Sequence, residues 1–325
     1  MTYCNQPFNR IEIYENGDVY NCCPALVSYH LIGNIFKTPF SEIWNGEKIQ
    51  YLRKTILDGD YSLCSNLCPQ KKQGKHQRNA ETIVNDYPEE ISISTDNACN
   101  VRCKICRDEF YHTEYNAKKL DKEIDEIWLP ILKNAKSLRF GCSGEPFASY
   151  KEKLLIKRAA AKYPNIKFHI HTNGILTNEK MLKELNIYDK LDTITVSLHS
   201  ASRWTYNKIV RGGNYGKVMK NLKLYSQMKK EGTLKNFRLV FVVYDENYKD
   251  MIDFVKLAKK NNAVACFWGL REVERTKINN NFKKHSIVNS ENKHNKNLIK
   301  ILKNSIFDSD NVELYPELKE LRGIN

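Results

Sequence analysis

The sequence predicts an α/β fold: a partial (β/α)6 TIM-like barrel preceded by a small cysteine-rich α+β domain. Three observations predict it. Between residues 90 and 275 short apolar runs alternate with amphipathic stretches, the pattern of a parallel sheet with helical crossovers. About six such units can be counted where a complete barrel has eight. Five of the ten cysteines fall in residues 1–75, ahead of a polar stretch, KKQGKHQRNAETIVNDYPEE, that reads as a linker.

In chain order, the N-terminal domain spans residues 1–75. Asn16-Gly17 sits between two short strand-like runs, EIY and DVY, which predicts a hairpin. GNIF, FSEIWNGEKIQYLRKTIL and YSLCSNLC follow it. Residues 76–89 form the linker and 90–275 the barrel. Its strands are EEISIST, SLRFGC, IKFHIHT, TITVSLH, FRLVFVVY and VACFWGL. Between them, KEKLLIKRAAAKY, NEKMLKELNIYDK, YGKVMKNLKLYSQMKK and YKDMIDFVKLAKKN space their apolar residues three and four apart, as helices do. Residues 276–325 are a polar extension with one helical segment near NLIKILKNSIF and no visible chemistry.

Composition narrows the function. With 41% hydrophobic residues the chain can bury a full core. No apolar run reaches the length of a membrane span, and MTYCNQPFNR lacks the regions of a signal peptide. Both point to a cytoplasmic protein. The net charge of +14 raises a nucleic-acid partner. Its lysines are nevertheless scattered among Asn and Ile, as on a solvated surface. Clustered cysteines in a reducing compartment indicate metal or redox chemistry rather than disulfides.

Cys99, Cys103 and Cys106 form a C-x3-C-x2-C loop after the first barrel strand. A structural zinc needs four protein ligands. A [4Fe–4S] cube held by three thiolates leaves one iron open. Cys4, Cys22, Cys64 and Cys68 supply four thiolates, enough for zinc or for a saturated [4Fe–4S] cluster, and spacing does not separate these options. Cys23, Cys142 and Cys266 remain; the plain reading of Cys142 and Cys266 is as small buried apolar residues.

In order, these landmarks resemble the radical SAM superfamily over roughly residues 88–275. Cys99, Cys103 and Cys106 match the family's cluster motif, with Ile105 where an aromatic residue often stands. FGCSGEPF resembles its Gly-Gly-Glu-Pro segment, with Ser143 in the first glycine position. HTNG and VSLHSASRWTYNKIVRGGNYGKVMKNL are similar to its later elements. Taken singly, Glu145 is a surface carboxylate, Asn173-Gly174 an ordinary turn and Arg211 an ion-pairing group. The resemblance implies instead that Gly144, Glu145, Asn173, Ser197 and Arg211 bind S-adenosylmethionine (SAM). It further implies that the SAM-binding [4Fe–4S] cluster cleaves SAM to a 5′-deoxyadenosyl radical, which takes a hydrogen atom from the substrate. The N-terminal segment is similar to the SPASM auxiliary-cluster domain, with Cys4, Cys22, Cys64 and Cys68 holding a second [4Fe–4S] cluster and Cys23 as an alternative to Cys22. That domain normally follows the barrel; here it precedes it. Its closing C-x3-C is one residue longer than usual.

The expected partners are a small-molecule substrate such as a sugar or sugar-nucleotide, or a peptide, and an electron donor such as flavodoxin or ferredoxin. The reaction is an oxidation, epimerisation or rearrangement, and Cys142, beside the glutamate segment, is a candidate hydrogen donor. The rival readings are an RNA-modifying radical SAM enzyme and a non-catalytic RNA-binding protein with two zinc sites.

Overall fold

The computed structural model describes residues 4–22, 31–64, 68, 81–107, 109–270 and 282–324. The strands there are β1 (Arg10–Ile13), β2 (Asp18–Tyr20), β3 (Leu31–Asn34), β4 (Glu90–Ile93), β5 (Arg102–Cys103) and β6 (Ser137–Phe140). They continue with β7 (Lys167–Thr172), β8 (Leu191–Ser197), β9 (Val210–Arg211), β10 (Asn236–Val243), β11 (Val264–Gly269) and β12 (Val312–Leu314). The chain divides into two compact units. One holds Met1–Asn97, Thr113–Phe168 and Leu185–Lys190; the other holds Ala98–His112, His169–Glu184 and Leu191–Asn325.

In the first unit β1 and β2 form the expected antiparallel hairpin, Ile13 opposite Val19. Gly17 sits at its turn with φ +81°, where a Cβ would meet the Phe36 ring at 2.4 Å, so only glycine fits. The strand β3 pairs antiparallel with β2. Cysteine spacing does not foretell what β1 does on its other edge. It pairs in parallel with β4, Ile11 against Ile91 and Ile13 against Ile93, and β4 pairs in parallel with β6. Ile11, Ile13, Ile91, Ile93, Leu138 and Phe140 are almost wholly buried along these three strands. The sequence reading also passed over a helical segment from Ala117 to Ile131, which carries a π-helical turn at Ile124–Trp128. Its apolar positions, Leu120, Ile124 and Trp128, recur every four residues among lysines and acids.

In the second unit β8, β10, β11 and β12 run parallel to one another. Phe237 and Phe241 of β10 pack on Tyr225 and Phe254 of the flanking helices Tyr215–Lys230 and Met251–Lys260, at 5.6 and 4.9 Å between ring centres. The opposite face mixes polar and apolar residues. Ser197 lies level with Val240, Val240 with Cys266, and Cys266 with Glu313. The final residues are therefore more than a polar extension, because β12 joins this sheet. Three residues are too few to show a period-2 pattern, which is why it went unread. The helix expected over NEKMLKELNIYDK stops at Glu184. Asn186 beyond it has φ +58°, a left-handed position that ends an α-helix.

Candidate functional site

The three-cysteine loop lies in the second unit and is fastened at both ends. The Cys99 N–H donates to Tyr111 O at 3.2 Å. Strands β5 and β9 pair Arg102 with Arg211 and Cys103 with Val210, and the Lys104 N–H extends the ladder to Ile209 O at 2.9 Å. Cys106 and Arg107 both donate their N–H to Cys103 O, closing a tight turn. Burial pushes the Cys103 thiol well above its usual range, and neighbouring Cys106 and Cys99 push it further, while Arg107 and Arg211 act against them. Cys103 thus lies near enough to Cys99 and Cys106 to feel their charge.

Two further predicted residues meet this loop. The Asn173 amide donates to Asn100 Oδ1 at 2.8 Å, and its own oxygen accepts the Ile175 N–H at 3.0 Å. Gly174 beside it has φ +77°, and Val196 Cγ1 would lie 2.9 Å from a Cβ there. Arg211 Nε donates to Arg102 O at 3.1 Å and Nη2 to Arg107 O at 3.2 Å. Ser197 stands instead at the end of β8, 2.7 Å from His171 Nε2. The His171 ring lies edge-on to Trp268, 5.9 Å between centres. His199, at φ +60°, is buried, and its Nδ1 accepts the Val242 N–H at 3.1 Å. Burial, aided by His171, lowers its pKa to about 3, so the ring stays neutral.

The glutamate segment belongs to the first unit. Gly141 and Gly144 take φ +93° and +70°, which turns the chain sharply after β6. Glu145 is 2% exposed, and its Oε1 accepts the Phe147 N–H at 3.3 Å. Ser143, in the position of the family's first glycine, donates its hydroxyl to Asn97 Oδ1 and its N–H to Ser94 Oγ. Cys142 is exposed. The sequence reading missed two other buried carboxyls here. Asp96 accepts from Thr113 and Tyr115. Glu152 accepts the Thr95 N–H at 2.9 Å on Oε1, while Oε2 is buried with no partner. Burial holds the Glu152 carboxyl well above the carboxylate range, and Asp96 and Glu145 add to it. The signal for Glu152 was the Ser149-x-x-Glu152 capping box, but it points elsewhere. Ser149 does cap the helix, while the glutamate turns to Thr95 instead of back to the cap.

The other four predicted thiols also meet within the first unit. Cys4 packs with Ile56, Phe8, Tyr61 and Cys64. Burial raises the Cys4 thiol, and nearby Cys68 adds to the rise. Burial raises Cys22 as well, and Cys4, Cys68 and Cys64 all add to it. Cys23 lies outside the described residues. Arg53, wholly buried, braces the segment, with Nε on Pro7 O at 2.9 Å, Nη1 on Asn45 Oδ1 and Thr82 O, and its cation 4.4 Å from the Trp44 ring. Among the described residues no three His, Cys, Asp or Glu side chains form a site for a single metal ion. Three thiols are the donor set an open four-iron cube takes, and four thiols that of a saturated one.

Two groups of cysteines without disulfides on an α/β scaffold are donor sets of the kind an iron–sulfur protein uses. The chain belongs to the radical SAM superfamily, which matches residues 93–258. Residues 4–69 match the SPASM iron–sulfur cluster-binding domain, ahead of that core. The protein is therefore an enzyme that uses SAM with a [4Fe–4S] cluster, and the SPASM match supports an auxiliary cluster.

Among curated proteins, GTP 3′,8-cyclase of Lactiplantibacillus plantarum is 25% identical over 195 residues, 57% of this chain and 54% of that protein. The uncharacterized protein MJ0804 of Methanocaldococcus jannaschii is 25% identical over 203 residues, 62% of this chain and 63% of its own. The chain thus spans between half and two thirds of the length of these relatives. Similar solved structures include TYW1 with a lysine-pyruvate adduct bound, at TM-score 0.38 and 17% identity over 63% of this chain and 70% of that one. Another is BtrN in complex with AdoMet and 2-DOIA, at TM-score 0.27 and 19% identity over 43% of this chain and 64% of that one. Among the described residues no helix is long and apolar enough to cross a membrane.

Proposed function

We propose that this enzyme abstracts a hydrogen atom from a small molecule such as a sugar or sugar-nucleotide, or from a peptide, leading to oxidation, epimerisation or rearrangement. In this reading Cys99, Cys103 and Cys106 hold the SAM-binding cluster, and Cys4, Cys22, Cys64 and Cys68 the auxiliary one. When bound, the reduced cluster and SAM supply a 5′-deoxyadenosyl radical. The chain's own work is to bind SAM through Gly144, Glu145 and Ser197, aim the substrate C–H bond and exclude water. Arg211 and Asn173 belong to the same machinery. The finer architecture goes with it: an N-terminal domain over 1–75, a linker over 76–89, a six-unit partial barrel over 90–275 and an extension over 276–325. Cytoplasmic flavodoxin or ferredoxin would deliver the electron. Cys142 would return a hydrogen atom in an epimerisation, and solvent deuterium in the product would be its signature.

The observation that carries this reading is the three-cysteine loop, tied through Tyr111 O, the β5–β9 ladder and the turn on Cys103 O. Its test is anaerobic reconstitution with iron and sulfide, followed by dithionite and SAM. We expect about eight irons per chain and 5′-deoxyadenosine as a product. Zinc in both sites, with no SAM cleavage, would overturn it.

A second reading, an RNA-modifying enzyme of the same superfamily, is favoured by exposed rings lying under cations. Trp204 is 74% exposed with Lys208 Nζ 5.6 Å from its ring centre, and Phe110 and Tyr111 lie under Arg102 and Arg107. Bases stack on such surfaces. Cleavage of SAM stimulated by added RNA in the same assay would select this reading.

A further inference from the structure

Arg211 was expected as a SAM contact, yet two of its guanidinium nitrogens are spent on the cysteine loop. Nε reaches the carbonyl of Arg102, one residue before Cys103. Nη2 reaches the carbonyl of Arg107, one residue after Cys106. The two carbonyls bracket the segment that carries both thiols. That segment already closes on itself through Cys103 O. The guanidinium therefore fixes where the closed turn begins and ends.

The surroundings hold the side chain to this task. Arg211 is the last residue of the β5–β9 ladder, so its backbone is anchored against Arg102 before its side chain folds back over the loop. The next residue, Gly212, has φ +81°, and a Cβ there would come 3.1 Å from Phe110 Cζ and 3.6 Å from Asn100 O. Gly213 follows, where a Cβ would lie 2.8 Å from the Tyr206 ring and from Val210 O. Gly212 thus holds a left-handed backbone that favours glycine, and Gly213 packs on Tyr206 and Val210 at a distance only glycine allows. A second tether reaches the loop from elsewhere. The Asn221 side chain, on the helix Tyr215–Lys230, donates to Gly174 O at 2.8 Å. Asn173, one residue before Gly174, donates to Asn100, between Cys99 and Cys103.

We infer that Arg211 is a positioning residue of the three-cysteine loop: its forked guanidinium clamps the backbone on both sides of Cys103 and Cys106, and the Asn173–Asn100 bond holds the stretch between Cys99 and Cys103. Partners that orient metal ligands, once removed, typically cost about 10–100-fold in affinity or activity. A fork that satisfies two acceptors in one plane is a task for arginine and not for lysine, whose ammonium is a point charge.

The inference rests on Cys99, Cys103 and Cys106 holding a cluster, and the experiment separates the two claims. Anaerobically reconstituted full-length protein is mixed with a ferrous chelator and iron release is followed by absorbance. The phase lost in the C99A/C103A/C106A variant marks the iron of this loop; if no phase is lost, the cluster reading itself fails. In Arg211→Gln we expect that phase to be about ten-fold faster or more, with the other phase unchanged. Arg211→Lys, which keeps the charge, should remain several-fold faster than wild type. Asn100→Ala, a milder change, should accelerate the same phase and keeps the inference testable should Arg211→Gln fold poorly; the far-ultraviolet spectrum of cluster-free protein reports that. Wild-type release rates in Arg211→Gln, or full rescue by Arg211→Lys, would overturn the clamp. Unchanged release with weakened SAM binding would overturn it in favour of a direct contact.

Discussion

Glu152 shows how a single residue can work against the stability of its surroundings. It is 1% exposed, bonded on one oxygen only, and raised by burial first and by two neighbouring carboxyls next. A raised folded pKa means that the folded state holds a proton the unfolded state gives up. The stabilisation is complete below the ordinary carboxylate pKa and is lost as pH climbs toward the folded value. From about pH 5 upward this group alone costs up to about 1.4 kcal/mol per pH unit. Glutamine keeps the oxygen that accepts the Thr95 N–H and carries no proton to lose. Glu152→Gln should therefore flatten the fall of stability above about pH 5, seen in urea unfolding of the cluster-free protein. A slope identical to wild type would show that Glu152 is ionised throughout.

At the scale of elements, Arg53 links pieces that the sequence keeps apart. From the helix Glu47–Leu57 it reaches Pro7, Asn45 and Thr82, and its cation lies over Trp44. In these contacts carbonyl dipoles, a side-chain amide oxygen and a ring face meet its charge. Arg53→Met fills the volume but strands the buried Pro7 carbonyl and takes a donor from half-buried Asn45 and Thr82, and we expect a loss of about 2 kcal/mol. Loss below about 1 kcal/mol in chemical unfolding would mean that water replaces the guanidinium. The Trp and the Leu-Arg pair were visible as a pattern, whereas the acceptors 46 and 29 residues away were not. The same division recurs elsewhere. The Asn16-Gly17 hairpin could be read because its signal is local, while the β1–β4 pairing rests on partners 80 residues apart. At the site, the cysteine spacing marked which thiols converge. It could not show that Asn173 and Arg211 bond the loop itself, because carbonyls and side-chain amides as partners leave no trace in residue type.

For the whole molecule, the open question is how far the two clusters depend on each other. Cys4, Cys22, Cys64 and Cys68 lie in one compact unit and Cys99, Cys103 and Cys106 in the other. The division does not follow chain order, however. The unit with the N-terminal thiols also contains β4 and β6, strands of the radical SAM core, and β1 is bonded directly to β4. The N-terminal segment is thus bonded strand to strand with β4. Thiol ligation and folding are coupled wherever a cluster completes a fold, so the question becomes which unit each cluster stabilises. In the C99A/C103A/C106A variant the β1–β4 ladder and the Arg53 contacts are untouched. We expect about four irons to remain, SAM cleavage to vanish, and the thermal midpoint of the N-terminal cluster's visible absorbance to stay within a few degrees of wild type. Substituting Cys4 and Cys22 should have the larger structural effect, because Cys4 is buried against Ile56 of the helix Glu47–Leu57 and Phe8 of the helix Gln6–Asn9. Loss of all iron from the triple variant would show that order in the first unit requires the second cluster.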